Sequence, residues 1–197
     1  MGVTRAASEL SARSYARLSA DHLARLSVLA AADHGHFTRD GGRPEYRDRR
    51  LAVVLAQGAA LHYVDHCHGV KDLDVWTFYA AVPGERFPGD KRETHADFGP
   101  SELGRQRYDP ADARSPEEWV RWQRWQEYEG RRLDFLTRAL PVDAGVESRH
   151  VVTAIQGWLE AGSCSSAAKK PSAWHLAQKA VVVIDPPRDL GLVIWPL

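Results

Sequence analysis

The chain has 197 residues, 44% of them hydrophobic, and its 26 Lys and Arg balance its 26 Asp and Glu. That composition excludes a disordered or collagen-like polymer and suits one domain, or a core with appendages. A formal net charge of zero supplies no global field to gather DNA or an anionic membrane, so any polyanion must be met locally.

Between Ser8 and His34 the residues Leu10, Tyr15, Leu18, Leu23, Leu26, Leu29 and Ala30 recur at helical spacing, and Ser19 with Asp21 supplies a cap and first-turn acid for a second helix. Arg39 to Arg50 has no apolar period and reads as a connector. Leu51 to Ala56 is a continuous apolar run of strand length; Gln57-Gly58 turns it into a short helix carrying Ala59, Ala60, Leu61 and Tyr63. His66-Cys67-His68-Gly69 closes that helix, and Leu73 to Tyr79 is a β-branched and aromatic strand.

Pro83 to Ser115 is rich in proline, glycine and charge without a period, a long loop of the kind that carries function. Ser115-Pro116-Glu117-Glu118 is a capping box, and the helix it starts runs to about Tyr128. Arg131 to Thr137 reads as a third strand, with a helix as the alternative. Val151, Val152, Ile155, Trp158 and Leu159 form an amphipathic stripe ending at Gly162. After a small-residue loop, Trp174 to Ile184 continues as helix until Pro186-Pro187, and Leu192 to Trp195 is a last strand.

The expected fold is α+β: a small mixed sheet built from Leu51–Ala56, Leu73–Ala80 and Arg132–Leu136, with packed helices. Residues 1–50 are a helical lead-in, 51–138 a core interrupted by the loop 83–115, and 139–197 a helical segment packed on that core. Cys67 and Cys164 are too few for a disulfide framework, which points to a reducing compartment, the cytoplasm. No run approaches the ~20 apolar residues that span a bilayer, and Val28 to Ala32 is too short for a signal-peptide core, so no membrane and no export are expected.

Asp72 and Asp74 flank Leu73 at the start of a strand, so their carboxylates emerge on one face with Cβ atoms roughly 7 Å apart. Both can reach one hard cation, and Asp134, between Leu133 and Phe135, is the third candidate. The plain alternative is a turn at Lys71-Asp72 and a solvent-facing Asp74.

The order of these pieces resembles the nucleotidyltransferase superfamily, similar to the palm of DNA polymerase beta and to the minimal and abortive-infection-type transferases. Val53-Val-Leu-Ala-Gln57-Gly58-Ala-Ala-Leu61 looks like that family's strand, turn and helix, Lys71-Asp72-Leu73-Asp74-Val75 its D-x-D strand, and Arg131-Arg-Leu-Asp134-Phe135 its third acid. The resemblance implies that Asp72 and Asp74 hold Mg²⁺ (or Mn²⁺) and a nucleoside triphosphate, and that Asp134 helps activate the attacking hydroxyl. It also implies nucleotide contacts at Gln57, Gly58, Ala59, Lys71 and Arg132, with Gln57 and Ala59 departing from the family's small and hydroxyl residues. Its function would be transfer of a nucleoside monophosphate to a hydroxyl or phosphate acceptor, whether small molecule, RNA or protein. The alternatives are a non-catalytic nucleotide- or partner-binding module of the same fold and a toxin-like transferase acting on RNA.

Leaving pyrophosphate calls for cations, for which Lys71, Arg131, Arg132, Lys169, Lys170 and Lys179 are candidates, and the loop adds Arg86, Lys91, Arg92, His95, Arg105 and Arg107. His62, His66, Cys67 and His68 offer zinc-type donors, but their crowding favours a helix end, and Cys67 reads as an inert thiol. Trp119, Trp122, Trp125 and Tyr128 recur every three residues, either packing a helix or stacking bases.

Overall fold

The computed structural model describes residues 17–66, 69–99, 111, 113, 115–120 and 131–196. Among these, β1 (Arg50–Ala56), β2 (Asp72–Ala80), β3 (Lys91–Ala96), β4 (Arg131–Leu140), β5 (Ala180–Asp185) and β6 (Val193–Trp195) form one mixed sheet in the order β3-β4-β2-β1-β5-β6. Only β2 and β4 run parallel; the other neighbours are antiparallel.

Helices cover both faces of this sheet. Helix α1 (Ala20–Arg39) starts after Ser19, whose N–H donates to Nδ1 of His22 at 3.0 Å, so His22 performs the back-reaching half of a capping box. Its apolar side, Leu23, Leu26 and Ala30, packs with Ala59 and Ala60 of α2 (Gln57–Asp65) on the face carrying Val53, Leu55, Leu73, Val75, Leu133 and Phe135. On the other face α3 (Ser148–Ser163) and α4 (Ser172–Leu176) lay Val151, Ile155, Leu159 and Leu176 on Ala52, Val54, Trp76, Phe78, Val181 and Val183. Because both faces are covered, β1 from Leu51 to Ala56 reads as an unbroken apolar run and not as an alternation.

Gly162 is where α3 and α4 touch. A Cβ there would stand 2.1 Å from the Ala173 Cβ and 2.9 Å from the Ala173 carbonyl carbon and the Trp174 nitrogen. Since backbone cannot yield as a side chain does, Gly162→Ala is expected to cost about 2 kcal/mol, read as a lower urea midpoint at unchanged slope.

Two expectations are corrected. The region 83–115 contains a strand, β3, with no apolar residue before Ala96; it pairs with β4 along one edge and so needs no buried face. The helix expected from Trp174 to Ile184 ends at Leu176, and Ala180 to Asp185 is instead β5, joined antiparallel to β1. The run Ala-Val-Val-Val-Ile is β-branched and fits a pleated surface better than a helix. The C-terminal part therefore supplies two strands to the sheet as well as helices.

Ser115 caps the helical residues 116–120 by accepting from the Glu118 N–H at 3.2 Å. The remainder of that helix, including Trp122, Trp125 and Tyr128, lies outside the described residues, as do the first N-terminal helix and Arg105 and Arg107. No helix among the described residues is long and apolar enough to cross a membrane.

Candidate functional site

The parallel pairing of β2 with β4 sets Asp72 beside Arg132 and Asp74 beside Asp134, residue for residue. Directly paired residues point to the same side of a sheet, and the period of two adds Asp72 and Arg132 to that side. Strand β3 continues the row, with Glu93 opposite Asp134. The three predicted acids thus share one face, at the end of the sheet where β1 turns into α2, since Ala56 pairs with Asp74.

Two cations hold the row together. An Nη2 of Arg132 donates to Asp72 Oδ2 at 2.7 Å and to Asp134 Oδ2 at 3.0 Å. Its Nε lies 3.0 Å from Asp134 Oδ1 as an ion pair without hydrogen-bond geometry, leaving that buried oxygen with no hydrogen bond. Lys91 reaches Asp134 Oδ2 at 3.0 Å and Glu93 Oε1 at 3.6 Å.

Burial and crowding disturb the acids. Asp134, with a side chain 3% exposed, has its carboxyl raised by burial against the pull of Arg132 and Lys91. Asp74 is pushed up to about 7, first by burial and then by the neighbouring charges of Asp72 and Asp134. Acids that repel one another in a dry setting are an arrangement met at functional sites.

The turn beside them is equally constrained. Gln57 adopts a left-handed backbone (φ 59°) and bridges to Ala180 of β5. Gly58 follows at the start of α2, and the position its Cβ would take is 3.5 Å from the Lys179 ammonium, so Lys179 stands beside unpaired helix N–H groups. Ala59 is buried in the core, leaving only its backbone for a ligand. Lys71 is exposed just before β2.

Other candidates are placed elsewhere. Arg131 is fully buried, on the opposite face from Arg132, and donates to the Phe98 carbonyl, so it is no pyrophosphate ligand. Lys170 donates to the Ser165 carbonyl at 2.7 Å and lies over the Trp174 ring. His62 is buried and accepts from the Leu18 N–H at 3.4 Å, which is structural, while His66 is the left-handed cap of α2. Cys67 and His68 lie outside the described residues. The sequence marked Lys91 only as a loop charge and gave Glu93 no role; the opposite charges of Lys91 and Glu93 two residues apart, on one face of a strand, were the available signal.

Three carboxylates on one face are hard oxygen donors of the type that Mg²⁺ or Mn²⁺ takes. As positioned, the acids turn to Arg132 and Lys91, and no group of three His, Cys, Asp or Glu among the described residues stands in a metal-holding arrangement. No family model, curated protein or solved structure matches this chain.

Proposed function

We propose that the chain is a nucleotidyltransferase-like enzyme, using Mg²⁺ or Mn²⁺ to move a nucleoside monophosphate from a nucleoside triphosphate to a hydroxyl or phosphate acceptor. The observation that supports it is the in-register pairing of Asp74 with Asp134, with Asp72 on the same face, next to the Gly58 turn. The bound cation would neutralise charge on the transferring and leaving oxygens.

The chain's own residues divide the remaining work. Asp72 and Asp74 present the carboxylates that hold the cation, Asp72 from the half-exposed end of its strand. Backbone N–H groups at the start of α2, together with Lys179, draw the triphosphate oxygens. As the acceptor oxygen bonds to the α-phosphorus and the bond to pyrophosphate breaks, Asp134 takes the acceptor's proton, a role served by its raised pKa. Rigid strands hold all three acids, so little geometry remains to be organised at the moment of reaction.

Asp72→Asn is expected to abolish Mg²⁺-dependent pyrophosphate release from a panel of nucleoside triphosphates. Unchanged release would remove the assignment. A second reading, a nucleotide-binding module of the same fold without turnover, is favoured by the neutralisation of the acids by Arg132 and Lys91. Triphosphates that raise the melting temperature while no pyrophosphate forms would select it, because binding stabilises a fold whether or not chemistry follows.

A further inference from the structure

We propose that a cavity beside the start of β3, walled by residues 86–89 and by the end of β4, binds a phosphate monoester with an apolar or aromatic body, its phosphate held between Arg86 and Arg138. This goes beyond the nucleotidyltransferase-like reading and does not depend on it.

The sheet makes the space. Strand β3 pairs with β4 only as far as Leu136, after which the Thr137 N–H donates to the Asp90 carbonyl at 3.1 Å. Ahead of Asp90 the chain stands away from β4 and encloses about 790 Å³, room for a small molecule. Leu140 turns its carbonyl to Ala81 on the β2 side, so strand alternation turns the Ala139 N–H the other way, towards the gap. The wall itself is pinned. The Asp90 N–H donates to Thr137 Oγ1 at 2.8 Å, and the Phe87 ring meets Tyr46 edge-on at 5.1 Å, against the aromatic cluster of Phe37, Tyr46 and Tyr79.

Charge points to an anion. Arg50, Arg92 and Arg132 each pair with a carboxylate, whereas Arg86 and Arg138, both lining the cavity, have no ion pair or hydrogen bond among the described residues. Asp90, at the foot of the wall, is already held by Arg92. Arg138 is half-buried, and its guanidinium lies 5.7 Å from the Trp158 ring centroid, which steadies the cation and leaves its N–H groups for a ligand. Two guanidinium forks and a backbone N–H offer more donors than a carboxylate's two oxygens need, and two positive charges match the nearly double negative charge of a phosphate monoester. Phe87, Pro88 and Pro141 line the rest of the cavity, hence the apolar body. Arg138 lies about 13 Å along β4 from Asp134, so the cavity is separate from the Gly58 turn, which sits at the Asp74 and Asp134 end.

Calorimetric titration of the full chain at pH 8 without added metal tests this, with phenyl phosphate, inorganic phosphate and benzoate as probes. The expected result is one phenyl phosphate per chain with a Kd below about 1 mM, and inorganic phosphate and benzoate weaker by about tenfold. Arg138→Gln and Arg86→Gln should each weaken phenyl phosphate by about tenfold, while Arg149→Gln on α3 leaves it unchanged. No binding of phenyl phosphate, or binding that neither cavity variant weakens, overturns the proposal. Benzoate bound as tightly overturns the choice of phosphate, and inorganic phosphate bound as tightly overturns the apolar body. Binding lost in Lys179→Gln but kept in both cavity variants puts the phosphate at the start of α2 and overturns the cavity site. Melting curves accompany each titration. Should Arg138→Gln fail to fold once its contact with Trp158 is gone, the exposed Arg86→Gln decides alone.

Discussion

Asp74→Asn is expected to melt higher than the wild type at pH 8 in the presence of a chelator, while the triphosphate turnover that the proposed function requires falls on the order of 100-fold or more. The stability half follows from linkage. Burial, and then Asp72 and Asp134, raise the Asp74 carboxyl from the usual carboxylate range to about 7, so the folded protein holds that proton more tightly than the unfolded chain. An acid raised in this way costs nothing below its ordinary pKa, and its penalty grows as pH climbs from about 4 to about 7. Asparagine cannot ionise and removes the penalty.

With solvent reaching part of the side chain, a gain of about 1–2 kcal/mol is reasonable, or about 4 °C in a chain of this size. Scanning calorimetry from pH 5 to pH 8 checks it: the wild type should lose melting temperature relative to Asp74→Asn as pH rises. Parallel curves would show that Asp74 bears no such strain. A substitution that stabilises the fold and destroys activity separates a functional carboxylate from a structural one.

Arg92→Met is expected to cost about 4 kcal/mol, because it strands a buried charge. Arg92 Nε donates to Asp33 Oδ1 at 2.8 Å, one Nη to the Asp33 carbonyl at 2.9 Å, and the other to Asp90. The Asp33 side chain is 6% exposed, and burial raises its carboxyl while Arg92 pulls it back down. Without the guanidinium, α1 carries an uncompensated acid against the sheet. Urea unfolding would record the loss, and the double variant Asp33→Asn/Arg92→Met should recover a large part of it, since the two sites share one interaction. Independent, additive losses would mean the pair is not coupled.

That same ion pair explains why β3 was illegible. Lys91-Arg-Glu-Thr-His-Ala96 offers no apolar alternation, and what fixes it is distant: β4 hydrogen bonds, Asp33 on α1 and Asp134 on β4. Strands β1 and β2, buried on both faces, announced themselves through composition, and the D-x-D spacing alone placed Asp72 and Asp74 on one face. Asp134 was legible as an acid inside an apolar strand. Its partner was not, because the pairing of Asp72 with Arg132 depends on a parallel register that no local pattern encodes. At β5 a short apolar run beginning after Gln178-Lys179 fitted helix and strand alike, and only its β-branching argued for the strand it forms.

The two outermost strands shape how this molecule meets others. On one border, β3 displays Lys91, Arg92 and Glu93 in succession, so an approaching backbone must desolvate charge before it can add a rung. On the other, β6 is three residues long and runs into Pro196, which has no N–H to offer. A broad sheet rich in valine is an obvious template for fibril growth, and among the described residues the charge along β3 and the shortness of β6 guard its two flanks.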